Sequence, residues 1–144
     1  MERISAIRRL ATTMHPDRCE LATTPDDVVR IVAAGKRAIM IGIENGYALG
    51  TDPSNVARFG DLGVRYITLC HNGHNQICDS CNPAAKLGDQ EAKHHGLSSL
   101  GRQVVAEMNR LGIMIDLSHA AASTFRDVVA ISKAPVIASH SGCS

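Results

Sequence analysis

Four short segments of the chain are continuously apolar, and none of them alternates apolar with polar residues. They are residues 38–43 (AIMIGI), 66–70 (YITLC), 113–118 (IMIDLS) and 135–139 (PVIAS). Runs of this kind are typical of strands that are covered on both faces, as in a parallel sheet flanked by helices. We therefore predict four parallel strands.

The segments before and between these strands have apolar residues at helical spacing. The clearest pattern begins with Thr24 and Pro25, continues with two acidic residues and ends at Gly35, which are start and stop signals of a helix. Further helices are predicted over the first dozen residues, over 55–62, over 100–111 after Ser98 and Ser99 with Gly112 as the stop, and over 125–132. Because helices and strands alternate with short connections, the predicted fold class is α/β.

Residues 72–97 lack this regularity and join the second predicted strand to its following helix. A structureless connection of this length is uncommon in a compact domain and usually carries a function. We therefore expect this loop to contribute to a functional site.

The composition is that of one folded domain spanning residues 1–144, with 44% apolar and 20% charged residues. A net charge of +1 gives no field that would attract nucleic acid, so we expect no nucleic-acid partner. We expect no membrane segment, because no apolar run approaches the roughly 20 residues needed to cross a bilayer. Five cysteines, an odd number, do not resemble a secreted disulfide framework and favour a cytoplasmic location.

Each predicted strand is followed at once by a residue of a type able to bind a metal ion or move a proton: Glu44, His71, His119 and His140. The C-terminal ends of parallel strands converge on one face, where the active sites of such proteins lie. One histidine after a strand is more often structural, but four such residues in phase favour a site. Two imidazoles and a carboxylate with an open fourth position form a catalytic zinc set, which His119, His140 and Glu44 fit. The remaining His71 is then a donor for an oxyanion or for the substrate.

Two weaker interpretations concern neighbouring residues. Asp116, in the strand before His119, is a candidate acceptor that holds an imidazole in place. The spacing H-x2-H-x3-C-x2-C, which ends in Cys78 and Cys81, has the letters of a structural zinc motif. Such sites usually draw on two well-separated pairs of ligands, so we favour free loop cysteines.

Four longer motifs, in this order and spacing, closely resemble the membrane (renal) dipeptidase family of zinc metallopeptidases. They are IGIENG (41–46), GVRYITLCHNGHN (63–75), GLSSLGRQVVAEMNRLGIMIDLSHA (96–120) and APVIASHSG (134–142), and the resemblance covers roughly residues 24–142. It implies a (β/α)8 TIM-barrel fold, of which this chain with four parallel strands covers about half. It also implies that Glu44 is a catalytic carboxylate bridging two zinc ions, that His119 and His140 complete one zinc site, and that His71 contacts the substrate and the tetrahedral intermediate.

The resemblance also implies residues that the chain does not show. The family's other zinc site uses a His-x-Asp pair on the first barrel strand, and its later strands supply an Arg and an Asp for the substrate. The letters His15-Pro16-Asp17 do not follow an apolar strand, so we do not assign them to that pair. A (β/α)8 barrel takes about 250 residues, so we expect a fragment with reduced or no activity of its own.

The expected function is zinc-dependent hydrolysis of dipeptides, with a dipeptide as the partner and a homo-oligomer as a possibility. One alternative is another metal-dependent amidohydrolase on the same barrel, acting on a cyclic amide or an ester. Another is a non-catalytic metal-binding remnant, or a subunit completed by a second chain.

Overall fold

A computed structural model describes residues 2–141 of the chain. Five α-helices alternate with five short strands, which confirms the α/β class. The helices are α1 (Glu2–Arg9), α2 (Pro25–Ala33), α3 (Asn55–Asp61), α4 (Ser99–Leu111) and α5 (Ala122–Ile131). The strands are β1 (Cys19–Leu21), β2 (Arg37–Ile39), β3 (Ile41–Glu44), β4 (Val64–Thr68) and β5 (Met114–Asp116).

All the strand pairs in the described part of the chain are parallel. Strands β3, β4 and β5 form one sheet with β4 in the centre, and β1 pairs with β2 in a second, two-stranded sheet. The three-stranded sheet is extended by a parallel bridge between Asp116 and Ile137. The backbone N–H of Ile137 donates to the carbonyl of Ile115 at 2.9 Å, and its own carbonyl accepts from Leu117 at 2.8 Å.

The predicted strands differ from the observed ones in three places. The run 38–43 is interrupted at Met40, so its first half pairs with β1 and its second half with β4. Strand β1 was not predicted, because three residues with Glu20 in the middle give no apolar run. Of the run 135–139, only Ile137 forms a bridge. The strands within residues 2–141 therefore show a parallel α/β fold but do not by themselves show a barrel.

The predicted starts and stops of two helices are correct. The Thr24 hydroxyl accepts from the N–H of Asp27 at 3.1 Å, and the Asp27 carboxylate accepts from the N–H of Thr24 at 3.0 Å, which completes a capping box. Ser98 caps α4 by accepting from the N–H of Gly101 at 2.9 Å. Gly112 ends α4 in the left-handed conformation, with φ of 66°. Within residues 2–141, each helix is too short or too polar to span a lipid bilayer.

The core lies where α3 and α4 pack on the three-stranded sheet, and it fixes the strands that carry the site. In β4, the neighbouring residues Ile67 and Thr68 are both fully buried although successive strand residues point to opposite faces. This burial confirms that the central strand is covered on both sides. The other fully buried large side chains are Ile31, Leu49, Val56, Val64, Leu69, Ile77, Val104, Val105, Met108, Ile115 and Val128.

The loop 72–97 is long but ordered around one buried carboxylate. Asp79 is 1% exposed and accepts hydrogen bonds from the backbone N–H groups of Lys93, His94 and Gly96 at 3.0–3.1 Å. Burial raises the pKa of Asp79, but these backbone hydrogen bonds outweigh it and hold that pKa below its ordinary value. The loop is also tied to α4, because the carbonyl of Ile77 accepts from the backbone of the helix cap at 2.9 Å.

Candidate metal centre

The register of the sheet explains why the four predicted site residues meet. Glu44 is paired with Thr68, Thr68 with Asp116, and Asp116 with Ile137, so these positions lie at one level across the sheet. Glu44 is itself at that level. His71, His119 and His140 each lie three residues beyond it on their own segments. Parallel strands therefore deliver all four side chains to the same edge.

The side chains converge on one oxygen of Glu44. The Nε2 atoms of His71 and His119 both lie 3.5 Å from Glu44 Oε1, and Nε2 of His140 lies 3.3 Å from it. The rings of His71 and His119 are 4.2 Å apart between centroids, and those of His119 and His140 are 4.9 Å apart. The side chain of Glu44 is 53% exposed, so the cluster is open to solvent and to a ligand.

The donor atoms of Glu44, His119 and His140 fit a metal ion. Nε2 of His119 lies 2.8 Å from Nε2 of His140, and the ligand atoms of the three residues lie within 4.8 Å of one another. Two imidazole lone pairs at 2.8 Å repel each other unless a proton or a cation lies between them. Ligand atoms about 2.0–2.1 Å from a tetrahedral zinc ion lie about 3.3 Å apart, which is close to the observed separations.

The loop 72–97 holds the backbone at two of the histidines. The hydroxyl of Ser80, a residue that is 2% exposed, lies within hydrogen-bonding distance of the carbonyls of His71 and, at 3.2 Å, His119. The backbone N–H of Cys81 donates to the carbonyl of His119 at 2.8 Å. These contacts hold His119 in the left-handed conformation, with φ of 66°. Sequence reasoning missed Ser80, because a serine in an irregular loop carries no periodic signal.

Asp116 is buried, and its carboxylate accepts hydrogen bonds from Thr68, Ser118 and Ser139 rather than from an imidazole directly. Its Oδ1 accepts from the N–H and hydroxyl of Ser118 and from the N–H of Ser139 at 2.8–3.1 Å. Its Oδ2 accepts from the hydroxyls of Thr68 and Ser139, both at 2.6 Å. Burial raises the pKa of Asp116, but the hydrogen bonds from Ser139, Thr68 and Ser118 outweigh it and hold that pKa at about 2. The predicted support of an imidazole runs through Ser139, whose hydroxyl contacts His140 Nδ1 at 2.9 Å.

The weaker motifs do not form metal sites in the described part of the chain. The side chain of His74 is fully buried, and its Nδ1 accepts from the N–H of Ser80 while its Nε2 faces the carbonyl of Gln90. Within residues 2–141, the group of three or more side chains that could hold a metal ion consists of Glu44, His119 and His140, so it includes neither His15 nor the four residues of the H-x2-H-x3-C-x2-C motif. Cys81 is exposed and free, as expected for a loop cysteine.

A carboxylate and three imidazoles at the C-terminal ends of parallel strands define a candidate catalytic metal centre on an α/β scaffold. The chain belongs to the membrane dipeptidase family (peptidase family M19), whose family model matches residues 1–144. It is 41% identical to the dipeptidase verJ of Clonostachys rogersoniana over 144 residues, which are 100% of this chain and 35% of verJ. The chain therefore spans about a third of the length of this curated relative.

Solved structures of the family share the fold. The probable dipeptidase PvdM from Pseudomonas aeruginosa is 35% identical with a TM-score of 0.90, over 94% of this chain and 34% of PvdM. A metallopeptidase from Rhodobacter sphaeroides, solved with a phosphinate mimic of the dipeptide L-Ala-D-Ala, is 27% identical with a TM-score of 0.79. That match covers 97% of this chain and 38% of the metallopeptidase. The chain therefore shares its α/β fold with both structures over nearly its whole length.

Proposed function

We propose that this chain is part of a zinc-dependent dipeptidase with reduced or no activity of its own, and that Glu44, His119 and His140 hold the zinc. The observation that carries the proposal is the convergence of these three donor groups, within 4.8 Å of one another, in a chain of the membrane dipeptidase family. The relative verJ is named a dipeptidase, and the Rhodobacter sphaeroides metallopeptidase binds a mimic of L-Ala-D-Ala. Both support a dipeptide as the substrate.

Each of the four residues has a distinct part in this proposal. When bound, a zinc ion lowers the pKa of a water molecule and polarises a carbonyl group. His119 and His140 would supply nitrogen ligands to the ion, and Glu44 would supply a carboxylate ligand. The barrel of the whole protein, the cytoplasmic location and the homo-oligomer stay predictions.

His71 is proposed as the residue that contacts the substrate. Its side chain is 42% exposed, and it lies beside His119 without belonging to the group of three ligand-type residues. A ring nitrogen in this position can donate a hydrogen bond to the oxygen that gains negative charge as the peptide bond is attacked. Its contribution is to the transition state rather than to metal binding.

The test separates the ligands from the substrate-binding histidine. We expect His71→Ala, made in a full-length protein of the family, to keep zinc near the level of the unchanged protein, measured by elemental analysis, while dipeptide turnover falls about a hundredfold or more. We expect His140→Ala to lose the zinc. Loss of zinc in His71→Ala would contradict the assignment of His71, and turnover of cyclic amides or esters but not of dipeptides would favour another amidohydrolase.

A further inference from the structure

The hydroxyl of Ser139 lies between a buried carboxylate and one of the proposed ligands. Its Oγ is 2.6 Å from Oδ2 of Asp116 and 2.9 Å from Nδ1 of His140. The backbone N–H of Ser139 donates to the other carboxylate oxygen, Oδ1, at 2.9 Å. Ser139 therefore bonds to Asp116 through both its backbone N–H and its hydroxyl. Ser139 is exposed, but its two hydrogen bonds to the charged carboxylate of Asp116 hold the residue in place.

The direction of these hydrogen bonds follows from the charge of Asp116. A carboxyl group with a pKa of about 2 is ionised near neutral pH, so it only accepts hydrogen bonds. The single hydroxyl proton of Ser139 is therefore given to Asp116. The oxygen of Ser139 is left as an acceptor, and the partner that reaches it at 2.9 Å is a ring nitrogen of His140. That nitrogen, Nδ1, must carry the proton.

We propose that Ser139 is a positioning residue that fixes His140 as its Nδ1–H tautomer, with the lone pair of Nε2 facing Glu44 and His119. Nothing about the ring alone selects this tautomer, because either nitrogen of a neutral imidazole can carry the proton. Asp116 and Ser139 select this tautomer, and in the metal-free protein Nε2 of His119 then carries the proton that lies between the two rings at 2.8 Å. Only its consequence, a ring prepared to bind zinc through Nε2, rests on the proposed function.

The chain offers a matched control for the hydrogen bonds that link Asp116 to His140 through Ser139. Thr68 donates its hydroxyl proton to the same oxygen of Asp116 at the same distance of 2.6 Å, but its hydroxyl bonds to Asp116 and not to His140. Thr68→Val removes one hydrogen bond to Asp116 but keeps the contact between Ser139 and His140. Ser139→Ala removes both. A difference between the two variants therefore reports the link to His140 and not the general loss of a hydrogen bond at Asp116.

A second variant reverses the direction of the hydrogen bonds between Asp116, Ser139 and His140 instead of removing them. In Asp116→Asn, an amide N–H₂ that replaces Oδ2 donates to the hydroxyl oxygen of Ser139. The hydroxyl proton is then free to point at Nδ1 of His140, which becomes an acceptor. The proton of the ring must move to Nε2, so this variant is expected to show the opposite tautomer.

The experiment is nitrogen-15 NMR of the histidine rings in the metal-free protein, at a pH of about 8, which is above the ordinary imidazole pKa of about 6.5. We expect the Nδ1–H form of His140 in the unchanged protein and in Thr68→Val, loss of that preference in Ser139→Ala, and the Nε2–H form in Asp116→Asn. Ser139→Thr keeps the hydroxyl and is expected to restore the Nδ1–H form. A Ser139→Ala spectrum with His140 unchanged would overturn the proposal.

Titration of the same variants with zinc gives the functional readout. We expect Ser139→Ala to bind zinc about 10- to 100-fold more weakly than Thr68→Val, since outer partners of metal-bound histidines contribute on this scale. If the tautomers change as expected while none of the proteins binds zinc, the proposed function fails and the role of Ser139 stands. Equal zinc affinity in Ser139→Ala and Thr68→Val would count against positioning of a ligand.

Discussion

Replacing Asp116 with asparagine is expected to remove a defined part of the pH dependence of folding. The hydrogen bonds to this carboxylate hold its pKa at about 2 in the folded protein, against an ordinary value of 3.8. A pKa depressed by folding stabilises the folded state above the ordinary pKa, and that contribution disappears as the pH falls toward the folded value. From these two values, Asp116 contributes about 2 kcal/mol to the free energy of unfolding at neutral pH.

The assay is urea unfolding followed by circular dichroism at a series of pH values, for the unchanged protein and for Asp116→Asn. We expect the variant to be less stable by about 2 kcal/mol or more at neutral pH, because a neutral amide cannot accept all five hydrogen bonds. The difference should shrink steadily between pH about 4 and about 2. Other carboxylates titrate in both proteins and cancel in the difference. A difference that stays constant down to pH about 2 would refute the reasoning.

Two further substitutions test how the loop 72–97 is held. In Gly101→Ala, the added Cβ would lie 2.2 Å from the carbonyl oxygen of Ile77, so we expect a loss of about 1–3 kcal/mol in urea unfolding despite the better helix propensity of alanine. Gly60→Ala is the matched control, since its Cβ would meet only the end of a side chain at 3.2 Å, and a loss as large as that of Gly101→Ala would contradict the argument. Ser80→Ala removes the hydroxyl between two site histidines and should cost about 1 kcal/mol. It should also weaken zinc binding in calorimetry, and zinc affinity equal to that of the unchanged protein would show that the contact does not position the site.

Much of the helical structure could be predicted because its signals are local. Thr24 and Ser98 cap their helices through residues three positions away, and Gly112 ends a helix by its own conformational freedom. Strand β1 and the interruption at Met40 escaped prediction for the opposite reason. A three-residue strand has no periodicity, and the break at Met40 depends on which of two neighbouring strands each half of the run pairs with.

The meeting of the four side chains at the centre of the candidate site could be predicted from the sequence. In a parallel sheet, residues at equivalent distances beyond paired positions arrive together, and this brings His71, His119 and His140 to one place beside Glu44, which lies at the paired level itself. The residues that hold them were not predictable in the same way. Asp116 lies 23 positions from Ser139 in sequence, and the contact between them exists only in the folded chain.

The most direct test of the metal centre is anomalous X-ray diffraction at the zinc absorption edge from crystals of the protein grown with zinc. We predict a peak about 2.0–2.1 Å from Nε2 of His119, from Nε2 of His140 and from a carboxylate oxygen of Glu44. His71 should lie outside the coordination sphere of that peak. Full zinc occupancy elsewhere in the protein, with no peak between these three residues, would contradict the account.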